Sequence, residues 1–94
     1  MGPEEIDWIE ADGNYAILHV GAQNHMLRET MATLEAQLPP NRFARVNRSA
    51  IVQLNRVKHV EAGSGRHFAV LKTGERVPLT RSVREFEAFL RDVS

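Results

Sequence analysis

Short apolar runs bounded by turn residues fill most of this chain, and the spacing of apolar positions becomes that of a helix in two places. Residues 6–10 and 15–20 are short runs rich in β-branched and aromatic side chains. Between them lies Ala11-Asp12-Gly13-Asn14, whose Asp-Gly pair can supply positive φ for a tight turn. The pattern predicts a hairpin. Residues 21–24 predict a second turn, and residues 25–28 a short returning strand. Met31, Leu34 and Leu38 then fall at i, i+3 and i+7, one face of a helix. Thr30 is its expected N-cap, and Pro39-Pro40 stops it abruptly. A helix of about nine residues is too short to stand alone and must dock on a sheet.

From residue 42 to 79 the period is again that of strands. Residues 57–61 lead into Ala62-Gly63-Ser64-Gly65, a glycine-rich turn, and residues 66–72 continue as a strand. Phe68 and Val70 are expected on one face of it, Ala69 and Leu71 on the other. Thr73-Gly74-Glu75 turns the chain into Arg76-Val77-Pro78-Leu79. Pro78 has no amide to donate, so this last strand is expected at a sheet edge. Ser82-Val83-Arg84-Glu85 has the S-x-x-E form of a capping box, and Phe86, Phe89 and Leu90 follow at helical spacing as core contacts. The expected fold is mainly β: short strands in small mixed or antiparallel sheets, one short internal helix and a C-terminal helix.

One segment carries more chemistry than the rest. Residues 43–52, Phe-Ala-Arg-Val-Asn-Arg-Ser-Ala-Ile-Val, alternate apolar with basic in a way no ordinary strand needs. Phe43, Val46, Ile51 and Val52 can form a buried side. Arg45, Asn47, Arg48 and Ser49 gather two guanidinium forks, an amide and a hydroxyl. Such forks pair bidentately with phosphate or guanine, and Asn matches adenine. The segment is therefore expected to be a strand edge that touches DNA. A solvated basic edge that blocks aggregation is the plainer reading of the same residues.

Ninety-four residues make one domain, expected to span the chain with its core at about residues 5–90. Met1-Gly2-Pro3 join no periodic pattern, and the domain is expected to belong to a larger parent protein. No apolar run approaches the roughly 20 residues of a membrane span, and there is no cysteine, so no disulfide framework. These features lead to an expected cytoplasmic location. Net charge is zero, but it is unevenly spread. Residues 1–40 hold seven acids against Arg28, residues 41–81 hold nine bases against Glu61 and Glu75, and the tail is −1; the balances −6, +7 and −1 sum to zero. Ten of the twelve bases are Arg, the residue better suited to planar, bidentate recognition. A single basic face would follow if the segregation persists in space.

Taken in order, these pieces resemble the LytTR DNA-binding domain family. The resemblance rests on residues 9–15 (Ile-Glu-Ala-Asp-Gly-Asn-Tyr), on Leu27-Arg28-Glu29-Thr30, on residues 43–49 with Ile51-Val52, on Leu71-Lys72-Thr73-Gly74, and on residues 77–82. It implies a fold of short strands whose loops enter successive major grooves on one face of double-stranded DNA. It also implies the output domain of a transcriptional regulator of a two-component or other sensor-coupled system, with an N-terminal receiver or other sensor in the bacterial parent protein. By motif, Asn14 with Tyr15 beside it, Arg48 and Arg81 take the base-contact positions, with Arg45, Asn47, Ser49 and Ser82 alongside. Asn47 stands where the family more often has His, and Gln53 where it usually has Asn, the latter at an expected structural cost. From the residues alone, Arg81 lies before a helix N-cap, where free amides attract phosphate; pairing with Glu85 is the plainer alternative. Asn14 reads most simply as a turn residue that tolerates left-handed geometry.

Enzymatic readings are weak. His19 with His25, and His59 with His67, are placed to meet across hairpins, but no Cys or carboxylate completes a metal-ligand spacing. Ser49 and Ser64 lack a nucleophile-elbow context, and Gly63-Ser64-Gly65 lacks the end of a phosphate loop. No catalytic residue, metal or cofactor is expected. The competing class is a β domain that holds a peptide or protein along a strand edge, with Trp8 and Tyr15 lining a groove. The expected partner is double-stranded DNA carrying repeated half-sites, with the free domain monomeric.

Overall fold

The computed structural model describes residues 2–93 and contains eight strands in two antiparallel sheets, with two α-helices. The first sheet comprises β1 (Trp8–Asp12), β2 (Tyr15–Val20), β3 (Gln23–Leu27), β4 (Phe43–Asn47) and β5 (Ala50–Gln53), in the order β3-β2-β1-β5-β4. The second comprises β6 (Val57–Gly63), β7 (Arg66–Leu71) and β8 (Arg76–Leu79), in chain order. Helix α1 (Met31–Gln37) lies between β3 and β4, and α2 (Val83–Val93) follows β8. Single 3-10 turns occupy Pro3–Glu5 and Leu54–Arg56.

Two apolar cores share the first sheet. One face packs Ile6, Ile9, Leu18, Phe43 and Ile51 against Met31 and Leu34 of α1. The other face, at β4 and β5, packs Val46, Val52 and Leu54 against Leu71, Val77, Leu79 and Phe86. Every residue of β5 is buried, because apolar layers lie on both of its sides. That explains why Ala50-Ile51-Val52 breaks the alternation of a strand with one wet face.

Local signals end the elements where the chemistry requires. Thr30 Oγ1 accepts the Thr33 amide at 3.1 Å, capping α1. The helix is two residues shorter than the spacing suggests. Leu38, preceding Pro39, is pushed into extended geometry at φ −87° and ψ 147°. On α2, Val83, Phe86, Phe89, Leu90 and Val93 form one stripe against the larger core. Its capping box is half closed. Ser82 Oγ accepts the Glu85 amide at 3.3 Å, while the Glu85 carboxylate turns to Arg81.

The main departure from expectation concerns residues 43–52. They form a β-hairpin, β4 to β5, rather than one strand edge, with Arg48-Ser49 at its tip. β4 lies at the edge of its sheet and runs beside β8, the edge of the other. The Thr80 amide donates to the Val46 carbonyl at 2.9 Å, and Asn47 Nδ2 donates to the Pro78 carbonyl at 2.7 Å. The edge position of Pro78 is as its missing N–H predicts. On β7, Val70 is buried along with Ala69 and Leu71, while Phe68 is half-buried.

Candidate nucleic-acid interface

The register of the first sheet brings two of the expected contact turns together. β1 pairs with both β2 and β5, so the β1–β2 turn and the β4–β5 turn emerge at the same end. The Ala11 amide donates to the Ser49 carbonyl at 2.8 Å and joins the two turns directly. Gly13 takes the left-handed conformation of the first turn, at φ 61°. Asn14 has no positive φ and is exposed, so the turn does not require it in the way expected of a left-handed residue. Tyr15 beside it is 43% exposed.

The tip of the second turn is built by its neighbours. Asn47 Oδ1 accepts the Ser49 amide at 2.7 Å, a side-chain mimic of a backbone turn. Arg45 Nη2 donates to the Arg48 carbonyl at 2.6 Å, and a register shift between Arg45 and Asn47 tightens the bend. Arg45 Nη1 also lies 3.3 Å from a Glu35 carboxylate oxygen. Asn47 thus uses both ends of its amide inside the domain, and Arg45 holds the tip's backbone. Arg48 itself is exposed, with no side-chain ion pair or hydrogen bond among the described residues.

Arg81 lies where the two sheets and α2 converge. Its Nη1 donates to the Arg45 carbonyl at 3.2 Å, its Nη2 lies 3.3 Å from Glu85 Oε1, and its guanidinium sits 4.9 Å from the centre of the Phe89 ring. Pairing with Glu85 is therefore present, combined with a bond across the sheet junction. A shallow groove lined by Arg45, Val46, Asn47, Arg48, Thr80 and Arg81 puts Arg48 and Arg81 on one surface. A neighbouring groove, bordered by Arg66, His67, Phe68 and Pro78, shares Thr80 and Arg81 with it. Neither groove has an acidic lining residue.

The charge blocks of the sequence are partly cancelled in space. Arg56 pairs with the buried Asp7 at 3.5 Å, Arg45 with Glu35, and Arg76 with Glu61 at 2.5 Å. Among the described residues, the guanidinium groups of Arg28, Arg48 and Arg66 have no ion pair or hydrogen bond. The sequence marks neither Arg28 nor Arg66 as a contact residue. Arg66 follows what reads only as a glycine turn, and Arg28 stands in an acidic half of the chain.

The histidine pairs do not form. His19 stands opposite Asn24 and His25 opposite Leu18, while His59 faces Val70 and His67 faces Ala62. His19 instead stacks on Trp8, with ring centroids 4.3 Å apart, and its Nε2 lies 2.7 Å from Glu10 Oε1. Among the described residues no group of three His, Cys, Asp or Glu is arranged for a metal ion. Trp8 and Tyr15 lie at opposite ends of the β1–β2 hairpin, so they do not line one groove. Among those residues no helix is long and apolar enough to cross a membrane.

Known proteins match both the sequence and this arrangement. The CO-responsive transcriptional regulator RcoM of Rhodospirillum rubrum is 34% identical over 77 residues, which is 80% of this chain and 33% of that protein. The chain thus spans about a third of that relative's length. A LytTr DNA-binding domain from Bacillus cereus superposes with a TM-score of 0.76 at 21% identity, covering 96% of this chain and 81% of that one. The likeness shows a shared fold. Residues 1–91 match the profile of the LytTr DNA-binding domain. With nearly its whole length matched, this chain belongs to the LytTr DNA-binding domain family.

Proposed function

We propose that this domain reads a DNA sequence as the output part of a transcriptional regulator whose sensing part, a receiver or other sensor, lies outside residues 1–94. The observation that carries this reading is Arg48: a guanidinium with no partner among the described residues, at the tip of a hairpin whose backbone is fixed by Asn47 and Arg45. With the backbone of the tip already fixed, only the freedom of the Arg48 side chain is lost on pairing with a guanine edge. Asn14 and Tyr15 in the joined turn, and Arg81 at the sheet junction, are proposed as the other readers. Ser49 and Ser82 supply hydroxyls beside them for phosphate. In this reading Arg45 and Asn47 act mainly by shaping the tip, and Arg81 must exchange Glu85 for DNA. Recognition thus uses loops and strand ends, with no helix laid in the groove, no catalytic step and no cofactor.

DNA as the partner puts the working protein in the cytoplasm. One domain with three contact loops reads a short site, so repeated half-sites on one face of the duplex are proposed to supply the remaining discrimination. The test is selection of bound duplexes from a random pool. Enrichment of a shared short motif is expected; a bound population indistinguishable from the starting pool would refute sequence-specific recognition.

A further inference from the structure

We infer that Arg28 and Arg66 bracket the proposed readers and grip backbone phosphates on either side of them, extending the DNA contact beyond Asn14, Arg48 and Arg81. The inference rests on the DNA-binding reading and adds two residues and a length to it.

Strand order gives the argument. Arg28 directly follows β3, the outermost strand of the first sheet, and borders the same depression as Gly13, Asn14 and Tyr15. Moving across the sheet, β2 and β1 carry the Asn14 turn, β5 and β4 the Arg48 turn. The β4 edge then meets β8 and Arg81, and β7 beyond it begins at Arg66. The order along the surface is therefore Arg28, Asn14, Arg48, Arg81, Arg66. Six strand intervals at about 4.8 Å give at most about 30 Å, within the 32 Å longest dimension of the domain. One turn of duplex is about 34 Å, so the outer arginines fall near phosphates that flank the bases read between them.

The outer arginines suit that task. Both are exposed and hold no side-chain ion pair or hydrogen bond among the described residues. The nearest acid to Arg28 in sequence, Glu29, turns its carboxylate to the Thr30 amide at 3.2 Å. Arg66 leaves a two-residue turn in which Ser64 and Gly65 both have positive φ, 50° and 76°, the geometry of a tight, rigid hairpin. The groove it borders lacks any acidic lining residue and opens onto Arg81. Arg42 provides the contrast: it is also exposed, but precedes β4 at the end opposite Arg48, away from both turns.

The experiment measures affinity against salt for the wild type, Arg28→Ala, Arg66→Ala and Arg42→Ala, on the selected duplex and on a scrambled one. Removal of each outer arginine should lower the steepness of log affinity against log salt by about 0.9, the share of one phosphate contact. Affinity should fall by the same factor on both duplexes, leaving the ratio between them unchanged. Arg42→Ala should match the wild type. A wild-type slope retained by Arg28→Ala or Arg66→Ala, or an equal loss in Arg42→Ala, would overturn the bracket while the wild type still binds its motif. A wild type with a flat salt plot would instead remove the DNA reading and the bracket with it.

Discussion

Asn47 Nδ2 donates to the Pro78 carbonyl at 2.7 Å, so one side chain ties the edge of the first sheet to the edge of the second. The same side chain accepts the Ser49 amide and closes the turn that presents Arg48. Removing it should loosen both. Asn47→Ala is expected to cost about 1–3 kcal/mol of stability, the loss of two net hydrogen bonds, and to weaken DNA binding further at temperatures where the domain stays folded. Denaturant titration beside DNA titration separates the two effects. Wild-type affinity in folded Asn47→Ala would show that the turn needs no such support.

Arg81 joins three elements, and the kind of cation matters there. Arg81→Lys keeps the charge but loses the fork that reaches the Arg45 carbonyl and Glu85 together. The salt slope should persist, while base preference at one position relaxes by about 1–3 kcal/mol. Selection profiles of the two proteins test this. An unchanged profile would confine Arg81 to a structural role.

The larger core depends on Phe86, fully buried between α2 and both sheets. Phe86→Ala should cost about 3–5 kcal/mol, a large part of the stability of a domain this size. Gln53 presents a subtler case. Its Nε2 donates to the Glu4 and Ile6 carbonyls and holds the N-terminal segment against β5, while its buried Oε1 has no hydrogen-bond partner among the described residues. Gln53→Ala should therefore destabilise by no more than about 1–3 kcal/mol, less than Phe86→Ala. Calorimetry on the two variants would show the ranking, and its reversal would count against the two-core description.

Much of this fold can be read from residue pattern. The i, i+3, i+7 spacing of Met31, Leu34 and Leu38 after Thr30 marks α1. Pro78 marks an edge, and Ser82 to Glu85 mark the start of α2. The β4–β5 hairpin was hidden because Arg48-Ser49 lacks the glycine or Asn-Gly signal of a two-residue turn; the bend is made by the Asn47 side chain and a bulge. Nor does local sequence reveal that Arg81 bonds the Arg45 carbonyl, 36 positions away. The same holds for β5, whose two buried faces depend on packing by distant elements.

Assembly follows from the surface that remains. With both helices docked, Tyr15, Met26 and Leu27 are the exposed large apolar side chains among the described residues, at 43%, 61% and 42%. Three side chains at one end of the β2–β3 ribbon are too few for the contiguous apolar surface that a stable dimer needs. The free domain should sediment as a monomer, and two copies should load onto a duplex with two half-sites. Inserting half a helical turn between the half-sites should abolish their mutual support. A tight dimer without DNA, or indifference to the insertion, would contradict this.

The base preference of Arg48→Ala tests the central claim most directly, because the tip is fixed by Asn47 and Arg45 and the side chain is exposed. Selection from random duplexes, run in parallel for wild type and variant, gives the preference at every position of the site. The account predicts a fully folded variant whose discrimination falls by about 1–3 kcal/mol at one position and is retained at the others. A variant with the same profile and the same affinity as the wild type would show that Arg48 does not read DNA.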